Sequence, residues 1–360
     1  MIRWLAVGLF VINLASEQGY AAPLQSGSRA PAESKKIRCS RETGAQNADA
    51  AAANTQNILW EDPVDIEGRD LLYGPGGRQG APDPSAKFTF IQKLHSGTQK
   101  KIIVKDDRGR KWTVKFGPEA RPETSASRIL WAAGYHVDQD YFVKLARIEG
   151  YRVSEIRDVR FERRNDGLKS VGKWSWKKNP FVGSRELDGL KVLMALLRNW
   201  DLKTDNNKIK IATISKHQKR SESISGRVYY VADLGSTLGS TGTFLNKLPF
   251  FRNLPPDRAF WLERKKAKGD AEAFEQGGFI KKTGTGVVEF NCKREEGRHV
   301  MKHVSIQDAR WMGDLLGKLS DRQLSDAFRA GGFDNYETSI YVRTMRERIQ
   351  ELQKLGLSSP

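Results

Sequence analysis

The chain has 360 residues, and its 61 Lys and Arg against 43 Asp and Glu leave a formal charge of +18. That balance favours anionic partners: nucleotide, phosphoinositide-like lipid, acidic polysaccharide, acidic protein or nucleic acid. Two cysteines, Cys39 and Cys292, exclude a fold that depends on a disulfide network. No GxSxG, HExxH or GxxxxGK(S/T) motif supports a hydrolase, a zinc protease or a P-loop, and the lack of zinc-ligand, helix-turn-helix and RNP-type patterns argues against nucleic acid.

Arg3 precedes an apolar run from Trp4 to Leu14, which has the length of a signal-peptide core and is too short for a membrane span. Small residues around Ala21 and Ala22 offer a cleavage site. Residues 1–22 are therefore expected to be a signal peptide whose removal leaves a secreted or periplasmic protein without a transmembrane span. Residues 23–57, rich in Ala, Ser, Gln, Asn and Gly, predict a disordered linker.

Short β-rich runs follow at Phe88 to Ile91, Ile102 to Val104 and Trp112 to Phe116. Gly97 lies in the first connection and Asp107-Arg108-Gly109 reads as a turn in the second, so three antiparallel strands are expected. Side chains alternate along a strand, which sends Trp112, Val114 and Phe116 one way and Thr113 and Lys115 the other. Pro122 suits a first helical turn, Glu123 suits the positive end of the helix, and Ile129, Leu130, Ala132 and Ala133 supply an apolar face before Gly134. Farther on, Arg160, Arg163, Arg164, Lys173, Lys177 and Lys178 flank Trp174 and Trp176. Rings among cations can stack a base, while packing in a core is the plainer reading of the two tryptophans.

Leu187, Leu190, Leu193, Met194 and Leu197 recur at helical spacing and predict a buried helix over Glu186 to Arg198. It leads into Asn199-Trp200-Asp201-Leu202-Lys203-Thr204-Asp205-Asn206. Ile209 and Ile211, then Val228 to Val231, read as two strands ending at Asp233-Leu234-Gly235, with the polar stretch Lys216 to Ser223 as a hairpin tip. This order places a carboxylate able to orient an attacking hydroxyl, Asp201, before two oxygen ligands suited to Mg²⁺, Asn206 and Asp233. Gly235 to Val300 reads as irregular. Ser305 with Asp308 and Ser320 with Gln323 look like helix starts, Gly331-Gly332 ends a helix, and Ile340, Met345, Ile349 and Leu352 outline a final one.

With Asp201-Leu202-Lys203, Asn206 and Asp233-Leu234-Gly235 in that order, the chain resembles the catalytic loop and metal-binding segment of the protein-kinase-like superfamily, over about Lys87 to Leu355. Asn199-Trp200 stands where ordinary protein kinases carry His-Arg, and Gly97 alone stands for their glycine-rich loop. The chain is accordingly more similar to atypical branches, the HipA-like, phosphatidylinositol-kinase-like and secretory-pathway kinases. The resemblance implies an α+β, two-lobed fold: a small antiparallel-sheet lobe with one helix at residues 58–151 and a mainly helical large lobe at 152–357. It implies ATP or another nucleoside triphosphate, with Mg. Lys115 would hold phosphates beside the backbone near Gly97, and Glu123, or Glu119 in its place, would pair with Lys115. Asn206 and Asp233 would bind Mg²⁺, Asp201 would orient the acceptor, and Lys203 would neutralise charge on the transferred group. The implied activity is transfer of a γ-phosphoryl group to a hydroxyl of a protein, lipid or sugar. A pseudokinase that binds nucleotide or a partner, a nucleotidyl transferase, and a basic protein binding an anionic polymer are the alternatives.

Overall fold

The computed structural model describes residues 56–95, 99–164, 167–212, 226–238, 270–292 and 294–357. The expected signal peptide, nearly all of the linker, Gly97 and the hairpin tip lie outside the described residues. At the end of the expected linker, Gln56 and Asn57 belong to a strand, β1 (Gln56–Ile58), which runs parallel to Gly226 to Val228.

Strands β2 (Lys87–Leu94), β3 (Lys101–Lys105) and β4 (Lys111–Lys115) pair antiparallel in sequence order. The β3–β4 turn is held by Asp106, whose carboxylate accepts from Arg110 Nε at 2.7 Å and Trp112 Nε1 at 3.1 Å, while Gly109 supplies φ +76°. After helix α1 (Ala120–Ala132) and the two-residue strand β5 (His136–Val137) come β6 (Asp140–Glu149) and β7 (Glu155–Arg163). β7 pairs with both β4 and β6, and β6 returns parallel to β2, so five strands close into a barrel in the order β2-β3-β4-β7-β6. The boundary expected after Tyr151 falls inside this barrel, because β7 is needed to join β4 to β6. Phe88, Val104, Trp112, Val114, Val159 and Phe161 fill its interior, with Phe88 and Phe161 rings 4.7 Å apart.

A second sheet runs β1-β10-β9-β8, where β8 is Leu168–Gly172, β9 Asn207–Ala212 and β10 Gly226–Val231, and β5 joins the β1 edge of β10. Between β8 and β9 lies helix α2 (Arg185–Leu196), started by Ser184, whose hydroxyl accepts from Leu187 N at 3.2 Å. The helix ends at Arg198, held at φ +56°, a left-handed conformation that glycine more often supplies. Its leucines are buried, and Trp174 and Trp176 pack in the same core, where Trp174 Nε1 donates to the Tyr230 carbonyl at 2.9 Å.

The stretch expected to be irregular contains ordered elements: α3 (Asp270–Gln276), the hairpin β11 (Ile280–Gly284) and β12 (Val287–Phe290), and α4 (Glu295–Val300). The hairpin is made by Thr285-Gly286, both at positive φ (+48° and +81°), the two-residue turn whose twist matches its flanking strands. Then β13 (Val304–Ser305) pairs with β12, and α5 (Ile306–Gly317), α6 (Asp321–Ala330) and α7 (Asn335–Gln353) complete the helical part. Reciprocal capping boxes start α6, from Ser320 and Gln323, and α7, from Asp334 and Glu337. No helix among the described residues is long and apolar enough to cross a membrane.

Helix α1 connects the two cores. Its apolar residues Ala126, Ile129, Leu130 and Ala132 belong to the larger core, where the helix packs against α6, and not to the barrel interior. The first turn turns its carboxylates toward β4. Gly134, at φ +91°, ends the helix where a Cβ would come within 2.2 Å of the Glu61 carbonyl.

Candidate active site

Lys115 is the last residue of β4, and the barrel register sets it between Lys101 of β3 and Arg160 of β7. Three cations side by side across a sheet repel one another, so the row stands only with compensation. Five acidic residues supply it. Lys115 Nζ lies 2.7 Å from Glu119 Oε2, 2.9 Å from Glu123 Oε2 and 3.3 Å from Asp233 Oδ1. Arg160 Nη1 lies 2.6 Å from the other Glu123 oxygen and 3.0 Å from Asp140 Oδ1, and its Nη2 is 2.7 Å from Glu162 Oε2.

The Lys115 side chain is only 2 % exposed. Burial alone would favour loss of its proton, but Glu123, Glu119 and Asp233 outweigh it and hold the ammonium well above the usual lysine value. Burial holds the Glu123 carboxyl above its usual range, against the pull of Arg160 and Lys115, the two cations in contact with it. Desolvation also works against the Asp233 carboxylate, yet Lys115, Arg160 and Lys101 hold it below the usual carboxylate range. Lys101 is shifted down by burial and then by the charge on Lys115.

Asp201 and Asn206 belong to the loop after α2. Asn199, buried, orients it by accepting from Asp201 N at 3.1 Å. The loop closes when Asn206 Nδ2 donates to the Asp201 carbonyl at 2.6 Å and to Asp201 Oδ2 at 3.3 Å. Asp201 Oδ1 meets two cations, Lys203 Nζ at 2.7 Å and Arg294 Nη1 at 3.0 Å.

The two halves are joined through the backbone. Asn206 O accepts from Ala232 N at 2.9 Å and from Asp233 N at 3.2 Å, which fixes the acidic loop against the segment that presents Asp233. That segment is tied in turn to α1, because Thr237 Oγ1 donates to the carbonyls of Leu234, at 2.9 Å, and Pro122, at 3.2 Å. Gly235 permits the approach: a Cβ there would sit 2.6 Å from Glu119 Oε2.

Of the residues singled out from sequence, Lys115, Glu123 and Asp233 thus meet in one cluster. Asp201, Lys203 and Asn206 meet in a second, hydrogen-bonded to the first, and Gly97 lies outside the described residues. Both candidate partners for Lys115, Glu123 and Glu119, contact it together. Sequence reasoning did not assign Arg160, Lys101, Asp140 or Arg294 to the site. Their places follow from cross-strand register and long-range packing, and as single charges among 61 cations and 43 anions they carry no local signal.

Glu119, Glu123 and Asp233 offer oxygens within 4.8 Å of one another, a spacing that a metal ion accepts. The Lys115 ammonium already stands among them, so this trio reads as an ammonium cage. Asp233 and Asn206 are the residues whose free oxygens could hold a divalent ion. Asp233 is 44 % exposed, and the Asn206 amide, with its nitrogen committed to Asp201, leaves Oδ1 without a hydrogen bond among the described residues. A carboxylate and an amide oxygen are hard donors of the type Mg²⁺ takes.

No family model matches the chain, and no curated protein matches it. Among solved structures, the Helicobacter pylori proinflammatory kinase CtkA is similar at 12 % identity and TM-score 0.41, over 76 % of this chain and 99 % of that one. The Rio2 kinase-ADP/Mg²⁺-phosphoaspartate complex from Chaetomium thermophilum is similar at 12 % identity and TM-score 0.25, over 74 % of this chain and 71 % of that one. Both likenesses are remote, and function is argued below from the site itself.

Proposed function

We propose that this chain is an atypical kinase with a two-lobed, kinase-like fold that transfers a nucleotide γ-phosphoryl group to a hydroxyl. One observation carries the reading: a buried lysine bound to Glu123 and Asp233, with Asp233 N hydrogen-bonded to the loop that carries Asp201 and Asn206. Phosphoryl transfer asks mainly for positioning and charge neutralisation, and this arrangement provides both. Lys115 would bind phosphate oxygens after giving up part of its contact with Glu119, the carboxylate nearest it at 2.7 Å. Asp233 and Asn206 would hold Mg²⁺, which when bound would neutralise charge on the phosphate groups. Asp201 would accept the hydrogen bond of the acceptor hydroxyl and orient it, and Lys203 beside it would offset charge on the moving group. The barrel with α1 would form the small lobe and the helical core the large one. Export through residues 1–22 and an anionic or hydroxyl-bearing acceptor complete the reading.

A binding-only pseudokinase is favoured by one feature, the capture of Asp201 Oδ1 by both Lys203 and Arg294. Thermal unfolding with Mg-ATP and transfer from γ-labelled and α-labelled ATP separate the readings. For the kinase, Mg-ATP stabilises the wild type but not Asp233→Ala, γ-label is transferred, and Asp201→Ala loses transfer by orders of magnitude while keeping nucleotide binding. Stabilisation without transfer indicates the pseudokinase, and transfer of α-label a nucleotidyl transferase. A wild type indifferent to Mg-ATP sinks both transferase readings and leaves a module that binds a partner without nucleotide.

A further inference from the structure

Helix α1 also borders an open cavity of about 780 Å³, lined by residues of the segment from Leu72 to Pro84, of β6 and of the turn between α6 and α7. Leu72, Tyr73, Pro82, Phe142, Val143 and Leu145 make much of its wall apolar. Arg128 of α1 lines it too, with the residue only 1 % exposed. Its Nη2 donates to the Asp140 carbonyl, whereas Nε and Nη1, both buried, have no hydrogen-bond partner, and no carboxylate forms an ion pair with it among the described residues. A buried guanidinium with two idle donors is costly, because water has been removed and only one replacement bond made. Burial brings its pKa down to about 10 against the pull of Asp140, Tyr141 and Asp70, so it remains charged at neutral pH.

Further cations line the cavity. Arg147 is taken by Glu155 at 3.1 Å, but Lys144, Arg157 and Arg329 are exposed and have no ion-pair partner among the described residues. Cations converging on an apolar space suit a ligand with one charged end and one greasy end. The volume lies within the ~300–1,000 Å³ typical of small-molecule pockets.

We propose that this cavity binds a small amphipathic anion, a carboxylate or phosphate head on an acyl or aromatic body. Arg157 and Arg329 would meet the head, and the charge of Arg128, buried behind the wall, would favour an anion there. Leu72, Phe142 and Leu145 would cover the body. The cavity and the Lys115 cluster are different sites, so the proposal stands or falls apart from the kinase reading.

Calorimetric titration of the full chain with octyl phosphate, 1-naphthyl phosphate, inorganic phosphate and octanol tests it. One of the two amphipathic anions should bind once per chain, at least tenfold tighter than inorganic phosphate or octanol, and whichever binds better identifies an acyl or an aromatic body. The double variant Arg157→Ala/Arg329→Ala, at exposed positions, should weaken that binding at least tenfold. Leu145→Trp should block it by filling the space from a half-buried wall. Amphipathic anions that bind no tighter than inorganic phosphate, or binding unchanged in both variants with circular dichroism intact, would overturn the proposal.

Discussion

The two sides of the candidate active site hold their charges in opposite ways. On the barrel side Lys115, Glu123 and Arg160 are buried, and each touches at least two groups of opposite sign. On the loop side Lys203 and Arg294 reach Asp201 from positions 52 % and 45 % exposed. Buried charges cannot be rescued by water when a partner is lost, whereas exposed ones can. The barrel side should therefore govern stability, and the loop side should adjust chemistry with little effect on the fold.

The sharpest way to break this contrast is Arg160→Ala. It leaves Glu123, Asp140 and Glu162 crowded around one missing guanidinium, and loss of one member of a buried ion network costs about 3–5 kcal/mol. Urea unfolding measures it, and a loss below ~1 kcal/mol would mean that the barrel side is solvated after all. Gly235→Ala should cost less, about 1–3 kcal/mol from overpacking, since the new methyl meets the Glu119 side chain at 2.6–2.9 Å. Its effect should reach function as well, by shifting the segment whose Gly235 N donates to Asp233 Oδ1 at 3.3 Å and so moving the carboxylate assigned to Mg²⁺. Weaker Mg-ATP stabilisation alongside lower unfolding free energy would show that coupling.

Acid should act through another buried group, in the connection between β5 and β6. Asp138 takes Lys208 at 2.8 Å and Lys210 at 2.7 Å. Burial pushes its carboxyl up, but the two lysines prevail and hold it well below the ordinary aspartate value of 3.8. A carboxyl lowered by folding stabilises the native state fully above its unfolded pKa and loses that contribution as pH falls toward the folded one. Unfolding free energy measured against pH should therefore decline below about pH 3.8 in the wild type, with a shallower acid limb in Asp138→Asn. Matching slopes in the two proteins would remove Asp138 from the account.

The loop side was the more legible half in sequence, and the reason is locality. Asp201 and Asn206 sit within one short turn, and Asp233 follows a strand whose β-branched and aromatic residues announce it, so spacing alone brings them near. The three strands up to Lys115 were readable for the same reason, including the turn at Asp107-Arg108-Gly109. Closure of the barrel was not. β7 reads poorly as a strand because Asp158, at φ +55°, interrupts the alternation of Ile156, Val159 and Phe161. Without β7 there is no register that sets Arg160 beside Lys115, and so no sequence signal for the buried half of the charge network. The hairpin at Thr285-Gly286 escaped notice because its strands are short and mostly polar, and its turn lacks the Asn-Gly or Asp-Gly pair that usually marks one.

The smallest expected effect on stability comes from Lys203→Ala, and it sharpens the contrast most directly. Asp201 keeps Arg294 at 3.0 Å and the Asn206 amide, and an exposed ion pair contributes at most ~1 kcal/mol. Unfolding free energy should hence stay within about 1 kcal/mol of wild type, and added salt should narrow even that gap, because exposed pairs are screened. Phosphoryl transfer, if Lys203 offsets charge on the moving group, should fall while Mg-ATP stabilisation is retained, the reverse of what Gly235→Ala does. A Lys203→Ala protein destabilised as much as Arg160→Ala would show that the loop is part of the buried scaffold, and the division of labour between the two sides would fail.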